Sequence, residues 1–202
     1  MNIPHYEMVP NEYDETSGMH LISLVKHPAM EVAAVLLQEQ EELNVTAQSL
    51  NKDKMYMTAP VIIPDKKILR KDPEHGMFTI SFTASDIEQI RNDFFRSTGN
   101  LSLSNKNHDK TAVVKAQLIE SWIIDDPKMD KSVALGFDLP KGTMMATYHI
   151  LEEKVWHEEV VPGKLTSFSL EGRFAMRPVE LAAMEEDTAF LELIKLLDEL
   201  NA

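Results

Sequence analysis

The sequence predicts a β-rich α+β fold, a small closed or nearly closed barrel with few helices, on three observations. Short runs of β-branched, aromatic and methionine residues recur between turn signals from residue 55 to residue 175. One segment among them opens with a helix cap, and an amphipathic stripe closes the chain. Strands that outnumber helices in this way close best into a barrel.

Residues 1–20 read as a polar, turn-rich N-terminal extension. Leu21-Ile22-Ser23-Leu24-Val25 then forms a short β-type run that Pro28 stops. Residues 30–43 are apolar first and acidic later. Val32, Val35 and Leu36 have helical spacing, yet residues 32–37 are also short and apolar enough for a buried strand, so both states stay open. Residues 55–63, 67–70 and 77–82 predict a meander of three strands, separated by Pro64-Asp65 and by Glu74-His75-Gly76. Ser85-Asp86-Ile87-Glu88 has the pattern of a capping box, and the helix after it carries Ile87, Ile90, Phe94 and Phe95 on one stripe before Gly99.

Residues 111–124 make the longest strand candidate. Strict alternation sets Val114, Ala116, Leu118, Glu120, Trp122 and Ile124 on one face, which leaves Glu120 as a carboxylate among apolar neighbours. Further strands are expected at 133–138, 144–150 and 165–175, with Pro140-Lys141-Gly142 and Pro162-Gly163 as turns. From Pro178 to the end, Val179, Ala182, Ala183, Phe190, Leu193, Ile194, Leu197 and Leu200 form the stripe of an amphipathic helix, which either packs on its own barrel or docks on a partner. The chain thus divides into an extension (1–20), a central domain (21–177) and a terminal helix (178–202).

Composition narrows the chemistry. The 202 residues include no cysteine, which excludes disulfides, thiolate metal sites and a cysteine nucleophile. A formal net charge of −13 repels phosphate backbones, so nucleic acid is not an expected partner. The N-terminal residues show no basic leader or apolar core, and no run approaches a membrane span, so a soluble protein made in the cytoplasm is expected. There is no Gly-rich phosphate loop, dinucleotide fingerprint, nucleophile elbow or zinc-protease helix, and His149 with His157 lacks a third metal ligand; no cofactor is expected.

Three residues stand out as candidates: His108 at the entrance to the long strand, Ser169 in Thr166-Ser167-Phe168-Ser169-Leu170-Glu171-Gly172, and Glu120. Singly, each has a bland reading: a solvated loop histidine, an inert strand serine, a buried ion pair with an arginine such as Arg173. Together they supply a hydroxyl, a base able to accept its proton near neutrality, and an acid to orient the base.

A series of ordered motifs adds a resemblance: Leu21-Ile22-Ser23-Leu24-Val25-Lys26-His27-Pro28-Ala29, then Val61-Ile62-Ile63-Pro64-Asp65-Lys66-Lys67-Ile68-Leu69-Arg70, Asn107-His108, Glu120-Ser121-Trp122, Leu135-Gly136-Phe137, Gly142-Thr143-Met144-Met145 and Ser167-Phe168-Ser169-Leu170-Glu171-Gly172. This series resembles the XkdF-like phage serine protease family, relatives of procapsid (prohead) maturation proteases. The resemblance implies a barrel of the herpesvirus assemblin type surrounded by helices, with Ser169 as nucleophile, His108 as general base and Glu120 as third member. Ser167, which stands where the family motif has glycine, is a rival hydroxyl. The implied substrates are scaffold protein, major capsid protein and the protease itself, inside a procapsid in the host cytoplasm. Self-association is a further implied partnership, and a non-catalytic structural protein of the same fold is the alternative.

Overall fold

The computed structural model describes residues 3–11, 13–30, 35–37, 54–97, 101 and 103–179. Over these described residues it is α+β and strand-rich, with two sheets. The larger contains β2 (Gly18–Val25), β3 (Val35–Leu37), β4 (Tyr56–Ile62), β7 (Leu103–Lys106), β8 (Asp109–Ile123), β9 (Met144–Ile150) and β10 (Ser167–Arg173), in the order β10-β2-β7-β8-β9-β4-β3. It curls into a half-barrel, bringing β10 up to β4 without a hydrogen-bonded ladder between them. The smaller contains β1 (His5–Val9), β5 (Ile68–Asp72), β6 (Gly76–Ser81) and β11 (Ala175–Pro178), in the order β11-β1-β6-β5.

The inner face of the half-barrel is apolar by alternation. Ile22 and Leu24 of β2, Val114 and Ala116 of β8, Tyr148 of β9 and Phe168 of β10 are all fully or almost fully buried. Helix α1 (Ala84–Ser97) adds Ile87, Ile90 and Phe94 to the same core. Its cap lies two residues before the expected box. The Thr83 hydroxyl accepts from the Asp86 N–H at 3.2 Å and donates to the Asp86 carboxylate at 2.6 Å, so Ser85 falls inside the first turn. Gly142 lets this helix seat closely: a Cβ there would lie 2.5 Å from the Ala84 Cβ, and its φ of +88° favours glycine independently.

Several expectations change. The three-strand meander is split, because β4 pairs with β9 whereas β5 and β6 pair with each other in the smaller sheet. The β4–β9 ladder is itself irregular at Pro60. A proline cannot donate to a ladder, and the register slips between Pro60 and Ile62, leaving Val61 as an extra residue. Residues 5–9, expected within a polar extension, form β1, parallel to β6 and antiparallel to β11; the His5 ring is buried between the hydroxyls of Thr79 and Ser81. The strand expected at 133–138 is a short helix, α2 (Lys131–Ala134), because the Asp130 carboxylate caps the Ser132 N–H at 2.8 Å and Gly136 ends the turn at positive φ. Of the open segment 30–43, residues 35–37 are strand. Pro178 closes β11, and the helix expected to the end of the chain lies outside the described residues from residue 180 onward.

Candidate active site

The site is assembled on three neighbouring strands, β10, β2 and β7, and on the turn that follows β7. That turn consists of Asn107 and His108, with Lys106 paired to Asp109 across it. Both turn residues have positive φ, 50° and 62°, as a two-residue type I′ hairpin requires. Asn107 ties the turn to β2. Its N–H donates to the Leu24 carbonyl at 2.8 Å, and its side-chain oxygen accepts from the Lys26 N–H at 3.0 Å. His108 therefore occupies a backbone conformation that glycine fills more easily, held there by contacts on both sides.

Glu171 is the hub beside it. Its Oε1 accepts from the Ser23 hydroxyl, from Asn105 Nδ2 at 2.6 Å and from His108 Nδ1 at 3.2 Å. Ser23 Oγ also stands 3.3 Å from His108 Nδ1. With the Ser23 proton directed to the carboxylate, the Nδ1–H of the imidazole is shared between two oxygens. That arrangement selects the tautomer with its lone pair on Nε2. Nε2 has no hydrogen-bond partner among the described residues, and the His108 side chain is 46% exposed.

Burial by itself would raise the pKa of Glu171. The three donated hydrogen bonds and the charge of His108 outweigh it and hold the carboxyl below its ordinary value. Glu171 thus stays ionised where it can accept from the imidazole.

Ser169 is the cross-strand partner of Ser23. Alternation puts Ser167, Ser169 and Glu171 on one face of β10, while Phe168 packs against Tyr148 on the other, their ring centroids 5.2 Å apart. The three hydroxyls on this face differ in access. Ser167 is fully buried, with no partner for its Oγ among the described residues. Ser23 is also fully buried, and its proton is engaged by Glu171. Ser169 is half-buried and lines, with His108 and Glu171, a cleft of about 830 Å³. No hydrogen bond joins Ser169 to His108.

Glu120 is elsewhere. β8 has a bulge between Leu118 and Glu120, so that Leu118 pairs with Tyr148 but Glu120 pairs with Thr147. One inserted residue reverses the facing of everything after it. Glu120 and Trp122 consequently lie on the opposite face from Leu118. The Glu120 carboxylate accepts from Lys131 and, at 3.4 Å, from the Thr147 hydroxyl, while Lys131 also sits 4.9 Å over the Trp122 ring. Asp109, next to His108 in sequence, accepts instead from the N–H and hydroxyl of Thr111.

The structure thus brings Ser169 and His108 to one cleft and puts Glu171, rather than Glu120, against the imidazole. Glu171 was legible in principle, since it lies two residues beyond Ser169 in the same strand and so on the same face. Ser23 and Asn105 had no local signal, because only strand order makes them neighbours.

Comparison of the chain with protein-family models, with curated proteins and with solved structures finds no match.

Proposed function

We propose that this chain is a serine endopeptidase of the prohead-maturation type, with Ser169 as nucleophile, His108 as general base and Glu171 as the residue that orients the base. The observation that carries the reading is the state of His108: its Nδ1–H is engaged by Glu171, its Nε2 has no partner among the described residues, and it lines the same cleft as Ser169. A hydroxyl with an ordinary pKa needs such a base to become nucleophilic near neutral pH.

In the proposed reaction, Ser169 Oγ attacks the scissile carbonyl carbon as its proton passes to Nε2. The tetrahedral intermediate collapses with transfer of that proton to the departing amine, leaving an acyl-serine. Water, deprotonated by the same Nε2, then releases the acid and restores Ser169. Glu171 stabilises the transient imidazolium and keeps its tautomer, while Ser23 and Asn105 keep Glu171 ionised. By the resemblance in the sequence, the substrates are scaffold protein, the major capsid protein and the chain itself, inside a procapsid in the host cytoplasm.

A non-catalytic structural protein of the same fold is the second reading, and the missing Ser169–His108 hydrogen bond favours it. Labelling with a fluorophosphonate separates the two. The peptidase reading expects a stoichiometric adduct on Ser169, located by peptide mass spectrometry, and its loss in His108→Ala. An unlabelled wild-type protein, or an adduct that forms equally well in His108→Ala, rejects it.

A further inference from the structure

Charge around the cleft runs against the charge of the whole chain. The net charge is −13, yet Arg70, Lys110 and Arg173 line the cleft with His20 beside them. Glu171 is the one carboxylate among the described lining residues, and three donors already occupy its Oε1. The cations come from separate elements: Arg70 from β5 of the smaller sheet, Lys110 from the start of β8 and Arg173 from the end of β10.

None of the three forms an ion pair among the described residues. Arg70 donates to the Leu69 carbonyl at 3.1 Å. Asp14 is near enough to feel Arg173 and His20, but its carboxylate accepts from the N–H and hydroxyl of Thr16. Beside these cations the lining is apolar, made by Val61, Ile68, Ile80, Phe82, Phe168 and Phe174, with the Phe82 and Phe174 rings edge to face at 5.4 Å. Unpaired cations beside apolar walls concentrate a positive potential that the acidic exterior does not share.

We propose that this cleft selects acidic peptide segments, with Arg70, Lys110 and Arg173 receiving substrate carboxylates while intervening apolar side chains lie on the walls. An extended chain alternates its side chains between two faces, so a segment alternating acidic and apolar residues presents both chemistries at once. Arginine adds a planar fork that can grip a carboxylate through two hydrogen bonds. As a statement about cleavage the proposal rests on the peptidase reading; as a statement about binding it does not.

The test uses fluorescein-labelled pools of short peptides in which alternate positions are fixed as Glu, Gln or Lys and the rest are random apolar residues. Binding is measured by anisotropy on full-length Ser169→Ala, and cleavage by kcat/KM on the wild type. Ser169→Ala should bind the Glu pool roughly tenfold more tightly than the Gln pool, as charge-assisted contacts imply, and added salt should narrow the gap. Replacing Arg70, Lys110 and Arg173 together by Gln should erase the preference, and replacing them by Glu should move it to the Lys pool. All three side chains are exposed, so circular dichroism of both triple variants should match the parent. Equal binding of the Glu and Gln pools, binding of no pool, or a preference that survives both triple variants overturns the inference. Cleavage of Glu and Gln pools at the same kcat/KM keeps the peptidase and rejects its acid selectivity. Acid-selective binding with no pool cleaved keeps the selectivity and rejects the peptidase.

Discussion

Replacing His108 by Gly and by Ala separates the backbone demand of the turn from the chemistry of the imidazole. Both variants lose the imidazole and its bond to Glu171, so that loss cancels between them. What remains is the backbone at φ 62°. A Cβ in the left-handed region costs about 1–2 kcal/mol, and the greater unfolded-state freedom of glycine returns about 0.5–1 kcal/mol of this. His108→Gly should therefore exceed His108→Ala in stability by about 0.5–1 kcal/mol. For a chain of this size, that is roughly 1–4 °C in thermal midpoint. Urea unfolding followed by circular dichroism, at matched m-values, measures the difference. Wild type should lie near His108→Gly, because the partly exposed His108–Glu171 contact offsets the turn strain only in part. Neither variant should cleave peptides, so a glycine that suits the turn would yield a stable but inactive protein. If His108→Ala is as stable as His108→Gly, the turn does not impose a left-handed backbone and the account of how the histidine is held fails.

Glu171→Gln should lower kcat by about 10²–10⁴-fold with little change in KM, since it removes the charge that stabilises imidazolium; unchanged kcat in stopped assays would remove Glu171 from the mechanism. Because the Glu171 pKa is lowered on folding, its contribution to stability is present above the ordinary carboxyl pKa of 4.5 and is lost as pH falls through the lowered value. The acid limb of a stability–pH profile should accordingly be shallower in Glu171→Gln, and an identical limb in both proteins contradicts this. Glu120→Gln should leave kcat/KM within about twofold and stability within about 0.5 kcal/mol, because the Glu120–Lys131 pair is solvent-exposed and neither residue lines the cleft; a large loss of turnover would return Glu120 to the site. Gly172→Ala should destabilise by about 1–3 kcal/mol in the same urea assay, since the new Cβ would lie 2.3 Å from the Gly18 carbonyl oxygen and 2.8 Å from the Phe174 ring.

Elements that depend on their own residues were legible before any coordinates. The runs at 55–63 and 144–150 correspond to β4 and β9, and the stripe Ile87, Ile90, Phe94 is the buried face of α1. Periodicity and turn chemistry act over a few residues, so a linear reading captures them. The region 133–138 read as strand because its apolar content outweighed a cap that spans only Asp130 to Ser132.

Which residues meet across the half-barrel is a different kind of information. Alternation placed Glu120 among apolar neighbours, and it would be there but for one extra residue at the bulge beside Leu118. A bulge reflects the twist and closure of the sheet, which residues on other strands decide. In the same way, Ser23, Asn105, His108 and Glu171 converge because β10 and β7 flank β2 and because Asn107 ties its turn to Leu24. The sequence by itself determined that Ser169 and Glu171 share a strand face and that His108 stands at the entrance to a long strand, since both follow from local geometry. Tertiary structure alone decided which carboxylate stands beside the imidazole. Hydrogen bonding between distant strands fixes that neighbour, and no local spacing encodes it.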